Sequence, residues 1–197
     1  MLLLPEDVIE TGVDEVGRGV LYGPVVAAAV ILPHTYHSEY ENIMDSKKLS
    51  EKKREKVATF IKEHALAYGI GVASAEEIDE INILNATYVA MHRAIDQITI
   101  PYDLLRIDGN RFKPYKDKKH ECVVSGDAKY LSIAAASIVA KVYRDNLILE
   151  NVATNPELKK YDLEKNKGYG TAKHLEALKI YGPVEGHRMS FRPIKKR

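Results

Sequence analysis

Residues 25–32 form an unbroken apolar run, Val-Val-Ala-Ala-Ala-Val-Ile-Leu, free of charge and closed by Pro33. Such a run predicts a buried central strand, although periodicity alone leaves a helix open. Ahead of it, residues 8–13 read as an extended segment leading into Asp14-Glu15, and Gly17-Arg18-Gly19 bends the chain. Ser50 is placed as an N-cap, with Glu51 near the positive end of a helix running to about His64. Val57, Phe60 and Ile61 give that helix one apolar face. Residues 67–73 alternate and predict another strand. Helical spacing returns over residues 84–98, where Tyr88, Met91 and Ile95 share a face until Pro101 intervenes.

Residues 104–107 predict a short strand ending at Asp108, and residues 121–124 a fifth, followed by Gly126-Asp127. Residues 131–149 read as a long helix whose alanines, Ala134 to Ala136, permit close approach to a sheet. A last helix is predicted over residues 171–180. Strands come first as a meander and later alternate with helices, so the expected class is α/β, with a mixed central sheet flanked by helices.

With 197 residues and 45% hydrophobic content, the chain can bury a sizeable core in one compact unit. That unit is expected as a core over residues 1–150 and a C-terminal helical extension over residues 151–197. No apolar run approaches the roughly 18–20 residues that span a bilayer. Met1 to Asp7 is too short and too quickly charged for a secretory signal, so a cytoplasmic location is expected. Cys122 is the only cysteine, which excludes an internal disulfide and a multi-cysteine zinc site and fits a small buried hydrophobe. The net charge of +1 is uneven, because residues 187–197 carry +5 and the remainder −4. A basic end attracts a phosphate backbone, and it equally well forms a solvated tail.

Four acids sit where predicted strands end or bend: Asp14, Glu15, Asp108 and Asp127. An ionised carboxylate beside a core is costly unless compensated, and hard divalent cations compensate several at once. Each acid can alternatively cap a helix, close a turn or pair with a base. Adjacent strand residues face opposite sides, so Asp14 and Glu15 share a site only where the strand ends. None of the seven histidines forms a paired metal-ligand spacing, and His174 and His187 stand as minor candidates.

The glycines at 17, 19 and 23 do not match the dinucleotide fingerprint, since the third comes one place late and Pro24 opens a strand. They suit close backbone approach to a polar ligand, with Arg18 as a bidentate phosphate donor, or simply a hairpin.

In order, these motifs resemble type 2 ribonuclease H (ribonuclease HII). The matching stretches are Gly12-Val-Asp-Glu-Val-Gly-Arg-Gly19, Gly23-Pro-Val-Val-Ala-Ala-Ala-Val-Ile31, Asp45-Ser-Lys-Lys-Leu49, Ile107-Asp-Gly-Asn110 and Gly126-Asp-Ala-Lys-Tyr130. Ile133 to Val142, Arg144-Asp145, Lys167-Gly-Tyr-Gly-Thr171, His174, Tyr181-Gly-Pro183 and His187-Arg188 complete the set. The resemblance implies an RNase H-like fold in which Asp14, Glu15, Asp108 and Asp127 are the catalytic carboxylates and hold two Mg²⁺ or Mn²⁺ ions. It implies cleavage of RNA in RNA/DNA hybrids and nicking 5′ of ribonucleotides embedded in DNA, leaving 5′-phosphate and 3′-hydroxyl ends. Gly17-Arg18-Gly19 corresponds to the loop that reads the ribose 2′-hydroxyl, and Tyr169 to the tyrosine that stacks on the sugar beside the junction. Ser46, Lys47, Lys48, Ser137, Lys141 and Arg188 are further expected substrate contacts. Arg18 argues against the sister type 3 enzymes.

A monomer is expected, and the tail from Arg192 to Arg197 shows no clear sliding-clamp motif. Two alternatives stand beside this reading: a strand-transfer enzyme with a similar acidic site, and a non-catalytic hybrid-binding module.

Overall fold

The computed structural model describes residues 8–44 and 49–195. Five strands, β1 (Glu10–Val16), β2 (Val25–Ile31), β3 (Ala67–Ala73), β4 (Leu104–Asp108) and β5 (His120–Val123), form one sheet in the order β3-β2-β1-β4-β5. β1, β2 and β3 run antiparallel, whereas β4 pairs parallel to β1 and β5 parallel to β4. The helices are α1 (Tyr40–Met44), α2 (Glu51–His64), α3 (Ala75–Ile95), α4 (Leu131–Thr154), α5 (Leu163–Asn166) and α6 (Ala172–Tyr181). This is the expected mixed sheet flanked by helices.

The apolar run of β2 is buried on both faces. Val26, Ala28 and Val30 pack with α1, α2 and the alanines of α4, while Val25, Ala27, Ala29 and Ile31 pack with α3, Leu105 and Ile107. That double burial explains why the strand tolerates no charge. A third cluster joins Tyr22, Ile148 and Val152 to Leu158, Tyr161, Leu163 and Ala177. It seats the C-terminal segment on the far end of α4, which runs continuously across residue 150.

Two expectations are corrected. The helix expected from residue 84 starts at Ala75, capped by Ser74, whose side chain accepts from the Glu77 N–H while Glu77 returns a bond to Ser74. This Ser-x-x-Glu capping box is the local signal for the earlier start. The expected start survives as a kink: Asn82 has φ 67°, and its side chain accepts from the Leu84 and Asn85 amides, capping the second half afresh. β1, in turn, does not end at Asp14. Pairing with β2 continues through Val16↔Val26, so both acids lie within a strand. Cys122 is only partly buried, at the edge of the α3-side core.

Candidate functional site

β1 and β4 lie side by side, with Val13 opposite Ile107, so the next residues, Asp14 and Asp108, emerge together at one end of the sheet. Alternation sends Asp14 toward α4, like Glu10, which accepts from the Ser132 hydroxyl at 2.7 Å. Glu15 points to the α3 side, with Val13. The two acids nevertheless act on one another through charge, as chain neighbours. The Glu15 amide donates to Asp14 Oδ1 at 2.7 Å.

Asp14 is only 6% exposed. Burial first, then the charges of Glu15 and Asp108, hold its carboxyl well above the ordinary range, against a lowering hydrogen bond from Ser137. Burial also raises Glu15, opposed by Arg18, whose guanidinium lies 3.1 Å from it, and assisted by Asp108. Asp108 Oδ1 accepts from the Gly126 amide at 2.7 Å, which ties it to the 3-10 turn Gly126–Ala128. Asp127, on that turn, is half-buried beside the Gly126 amide that holds Asp108. Among the described residues, no three His, Cys, Asp or Glu side chains converge tightly enough to form a ready-made metal cage. The donor set still fits a hard cation such as Mg²⁺, which takes one or two carboxylates, keeps several waters and leaves positions for substrate phosphate.

A cleft of about 350 Å³ opens from Glu15 and Asp108 along α3, lined also by Arg18, Tyr88, Asn110 and Arg111. The other flank follows α4. Ser137 bonds Asp14, and one turn on, Lys141 pairs with Asp145 at 2.8 Å with its ammonium 5.8 Å from the Tyr169 ring. Tyr169 is 43% exposed there, beside the Lys141 ammonium. Lys141 thus neither extends into solvent nor stands unpaired. Ser46, Lys47 and Lys48 lie outside the described residues.

The bend carrying Gly17, Arg18 and Gly19 is held from behind. Gly17 has φ +88°, and a Cβ there would lie 2.3 Å from Arg144 Nε, so only glycine fits. Arg188, expected as a substrate contact, is corrected to a strut: it is fully buried and donates to the carbonyls of Gly17 (2.6 Å), Arg18 (2.8 Å) and Gly23 (3.0 Å). Its guanidinium has no edge left for phosphate. Burial, and then repulsion from Arg144, pushes its pKa down to about 9.

Arg144, for which no role was expected, does the same for the carbonyls of Tyr22, Pro24 and Lys167. Its signal in the sequence is a cation four residues from Ala140 and from Ile148, both buried. The loop is also joined to the Tyr169 segment, since the Leu21 amide donates to Gly168 O at 2.8 Å. At Gly168, with φ +90°, a Cβ would lie 2.5 Å from Tyr22 O. His174 and His187, thirteen residues apart, meet at 3.1 Å in the interior, a contact no sequence spacing announces.

Comparison with known proteins agrees with this architecture. The family model for ribonuclease HII matches residues 11–194. Ribonuclease HII of Phocaeicola vulgatus is 52% identical over 193 residues, covering 96% of this chain and 94% of that protein. The crystal structure of ribonuclease H2 from Pyrococcus horikoshii superposes with a TM-score of 0.75 at 26% identity, covering 94% of each chain. The ribonuclease HII of Archaeoglobus fulgidus, solved in complex with PCNA, gives a TM-score of 0.77 at 23% identity, covering 96% of this chain and 98% of that one. The chain therefore belongs to the ribonuclease HII family, metal-dependent endonucleases that cleave RNA in RNA/DNA hybrids and at ribonucleotides embedded in DNA.

Proposed function

We propose that this protein hydrolyses phosphodiesters at RNA–DNA junctions with Asp14, Glu15, Asp108 and Asp127 as its catalytic acids, holding two Mg²⁺ or Mn²⁺ ions. The observation that carries the reading is the placing of Asp14, buried at the β1–β4 seam, beside Glu15 and Asp108; burial first, and then the two neighbouring charges, raise its proton affinity. A site that holds protons too tightly is one that a divalent cation relieves, and metal binding then releases those protons. When bound, such cations activate the attacking water and neutralise the departing oxygen.

The protein's own groups supply position. Ser137 fixes the Asp14 carboxylate, and the Gly126 amide fixes that of Asp108. The amides of the Gly17-Arg18-Gly19 bend, braced by Arg144 and Arg188, present a rigid backbone surface to the 2′-hydroxyl, the group that DNA lacks. The ring of Tyr169 stacks on the neighbouring sugar, with Lys141 beside it able to approach a phosphate. The cleft with Arg18 and Arg111 receives the continuing strand. Phosphate contact by Ser46, Lys47 and Lys48 belongs to the same proposal.

In this reading residues 1–150 carry the chemistry, and residues 151–197 contribute to substrate binding through Tyr169. No helix among the described residues is long and apolar enough to cross a membrane. A monomer acting on nucleic acid in the cytoplasm completes the proposal. A labelled RNA/DNA hybrid tests it directly: cleavage with Mg²⁺, none with chelator and none by Asp108→Asn supports the assignment, and full cleavage by Asp108→Asn overturns it.

A further inference from the structure

Behind Tyr169 lies a chain of hydrogen bonds that uses two buried imidazoles. His174 is 0% and His187 3% exposed. The Val184 amide donates to His187 Nδ1 at 3.1 Å, with the Val184 carbonyl equally near that nitrogen, His187 Nε2 meets His174 Nε2 at 3.1 Å, and His174 Nδ1 meets the Tyr169 carbonyl at 2.9 Å. With both rings neutral, only one proton arrangement satisfies all three ring contacts. The Tyr169 carbonyl can only accept, so His174 carries its proton on Nδ1 and offers a bare Nε2. His187 must then donate through Nε2, which leaves its Nδ1 to receive the Val184 amide. A second proton on His174 would set two N–H groups against each other, and one on His187 Nδ1, although the Val184 carbonyl could accept it, would face the Val184 amide and put a charge in the interior. Tyr161 and Tyr22 pack their rings edge-on to His187 and exclude water from it.

We propose that this neutral, tautomer-locked histidine pair is a positioning unit for Tyr169. It fixes the backbone from which the ring reaches the substrate sugar, and so sets selectivity for a lone ribonucleotide. The inference rests on the substrate role given to Tyr169 above. The neighbouring bonds fit it. The Tyr169 carbonyl also accepts from the Thr171 amide at 2.8 Å, so position 169 is held from two directions. His187 is followed directly by Arg188, so consecutive residues clamp the Tyr169 segment and the Gly17-Arg18-Gly19 bend. One short stretch of chain thereby fixes the distance between the two parts that read the junction.

The test compares kcat and KM, with Mg²⁺, on a DNA duplex carrying one ribonucleotide and on a full RNA/DNA hybrid. Wild type is measured beside His174→Leu, His174→Asn, Tyr169→Ala and the double variant His174→Leu/Tyr169→Ala. His174→Leu is expected to lose roughly 3- to 10-fold in kcat/KM on the single ribonucleotide, the worth of one hydrogen bond, and clearly less on the hybrid. His174→Asn, which keeps a donor near the Nδ1 position, is expected to recover most of that loss. In the Tyr169→Ala background His174→Leu should add almost nothing.

Equal losses on both substrates, or a full His174→Leu effect without Tyr169, overturn the positioning role. A silent Tyr169→Ala instead overturns the substrate role of Tyr169, and the purpose assigned to the pair falls with it. Should His174→Leu fail to fold, ¹⁵N imidazole NMR of the wild-type protein decides. Neutral rings at about pH 6, protonated at Nδ1 in His174 and at Nε2 in His187, support the proposal; a charged ring or the opposite tautomers overturn it.

Discussion

Arg188 places its Nη2 2.6 Å from the carbonyl oxygen of Gly17, a residue 171 positions earlier in the chain. The same guanidinium reaches the carbonyls of Arg18 and Gly23, and Arg144 serves three further carbonyls. A bend in which Gly17 takes a positive φ would lose its shape if its carbonyls were free to seek water. Two buried cations spent wholly on backbone are the reason the bend can present a fixed surface to a ligand.

Arg188→Met keeps the length of the side chain but strands three buried carbonyls. A loss of about 3 kcal/mol or more is expected, the summed cost of unsatisfied acceptors, read as a shift in the urea midpoint. A loss under about 1 kcal/mol would mean that the strut is dispensable.

Asp108→Asn should abolish turnover while stabilising the metal-free protein, because it removes repulsion on Asp14 and its amide oxygen can still accept from Gly126. The gain is on the order of 1 kcal/mol. Thermal melts with and without Mg²⁺ check both halves: the variant should melt higher without metal and respond far less to Mg²⁺. The sign follows from the raised carboxyls. Asp14 and Glu15 have folded-state pKa values above their unfolded ones, so their contribution to stability is present at low pH and is lost as pH rises through the raised values.

The histidines work in the opposite direction. Burial lowers His174, and it lowers His187 from 6.5 to about 4. A depressed pKa contributes stability above the unfolded value, lost as pH falls toward the folded one. Between about pH 6.5 and 4, wild type should therefore lose up to roughly 3 kcal/mol relative to His187→Gln, whose side chain does not titrate. Parallel stability–pH curves for the two proteins would contradict the buried neutral assignment.

Tyr169→Ala should cost roughly 10-fold or more in nicking at a single ribonucleotide, as loss of one stacking contact does, whereas Tyr169→Phe should stay near wild type. Steady-state kinetics on that duplex separate the two, and an equal deficit in both variants would shift the role from ring to hydroxyl.

Much of this was legible in the sequence because local chemistry carried it. The uncharged run of β2, the Ser50 cap and the alanines of α4 each announced an element. Asp14 stood out as an acid interrupting an apolar strand and Asp108 as one closing another, and parallel pairing of β1 and β4 brings them together. What stayed hidden depends on contacts far apart in the chain. Nothing near Arg188 distinguishes a buried strut from a basic tail that grips phosphate. The meeting of His174 and His187 is likewise made by α6 and the following turn folding onto the 17–24 bend. Asn82 hid the start of α3 because its positive φ resets the helical phase in mid-helix.

The most direct measurement is product mapping on a DNA duplex with one ribonucleotide, incubated with wild-type protein in Mg²⁺ and in Mn²⁺. One nick on the 5′ side of the ribonucleotide is expected, with 3′-hydroxyl and 5′-phosphate ends and no product under chelation. A nick that persists without metal, or one on the 3′ side that leaves a 2′,3′-cyclic phosphate because the ribose hydroxyl has displaced the following 5′ oxygen, would contradict hydrolysis directed by the four acids.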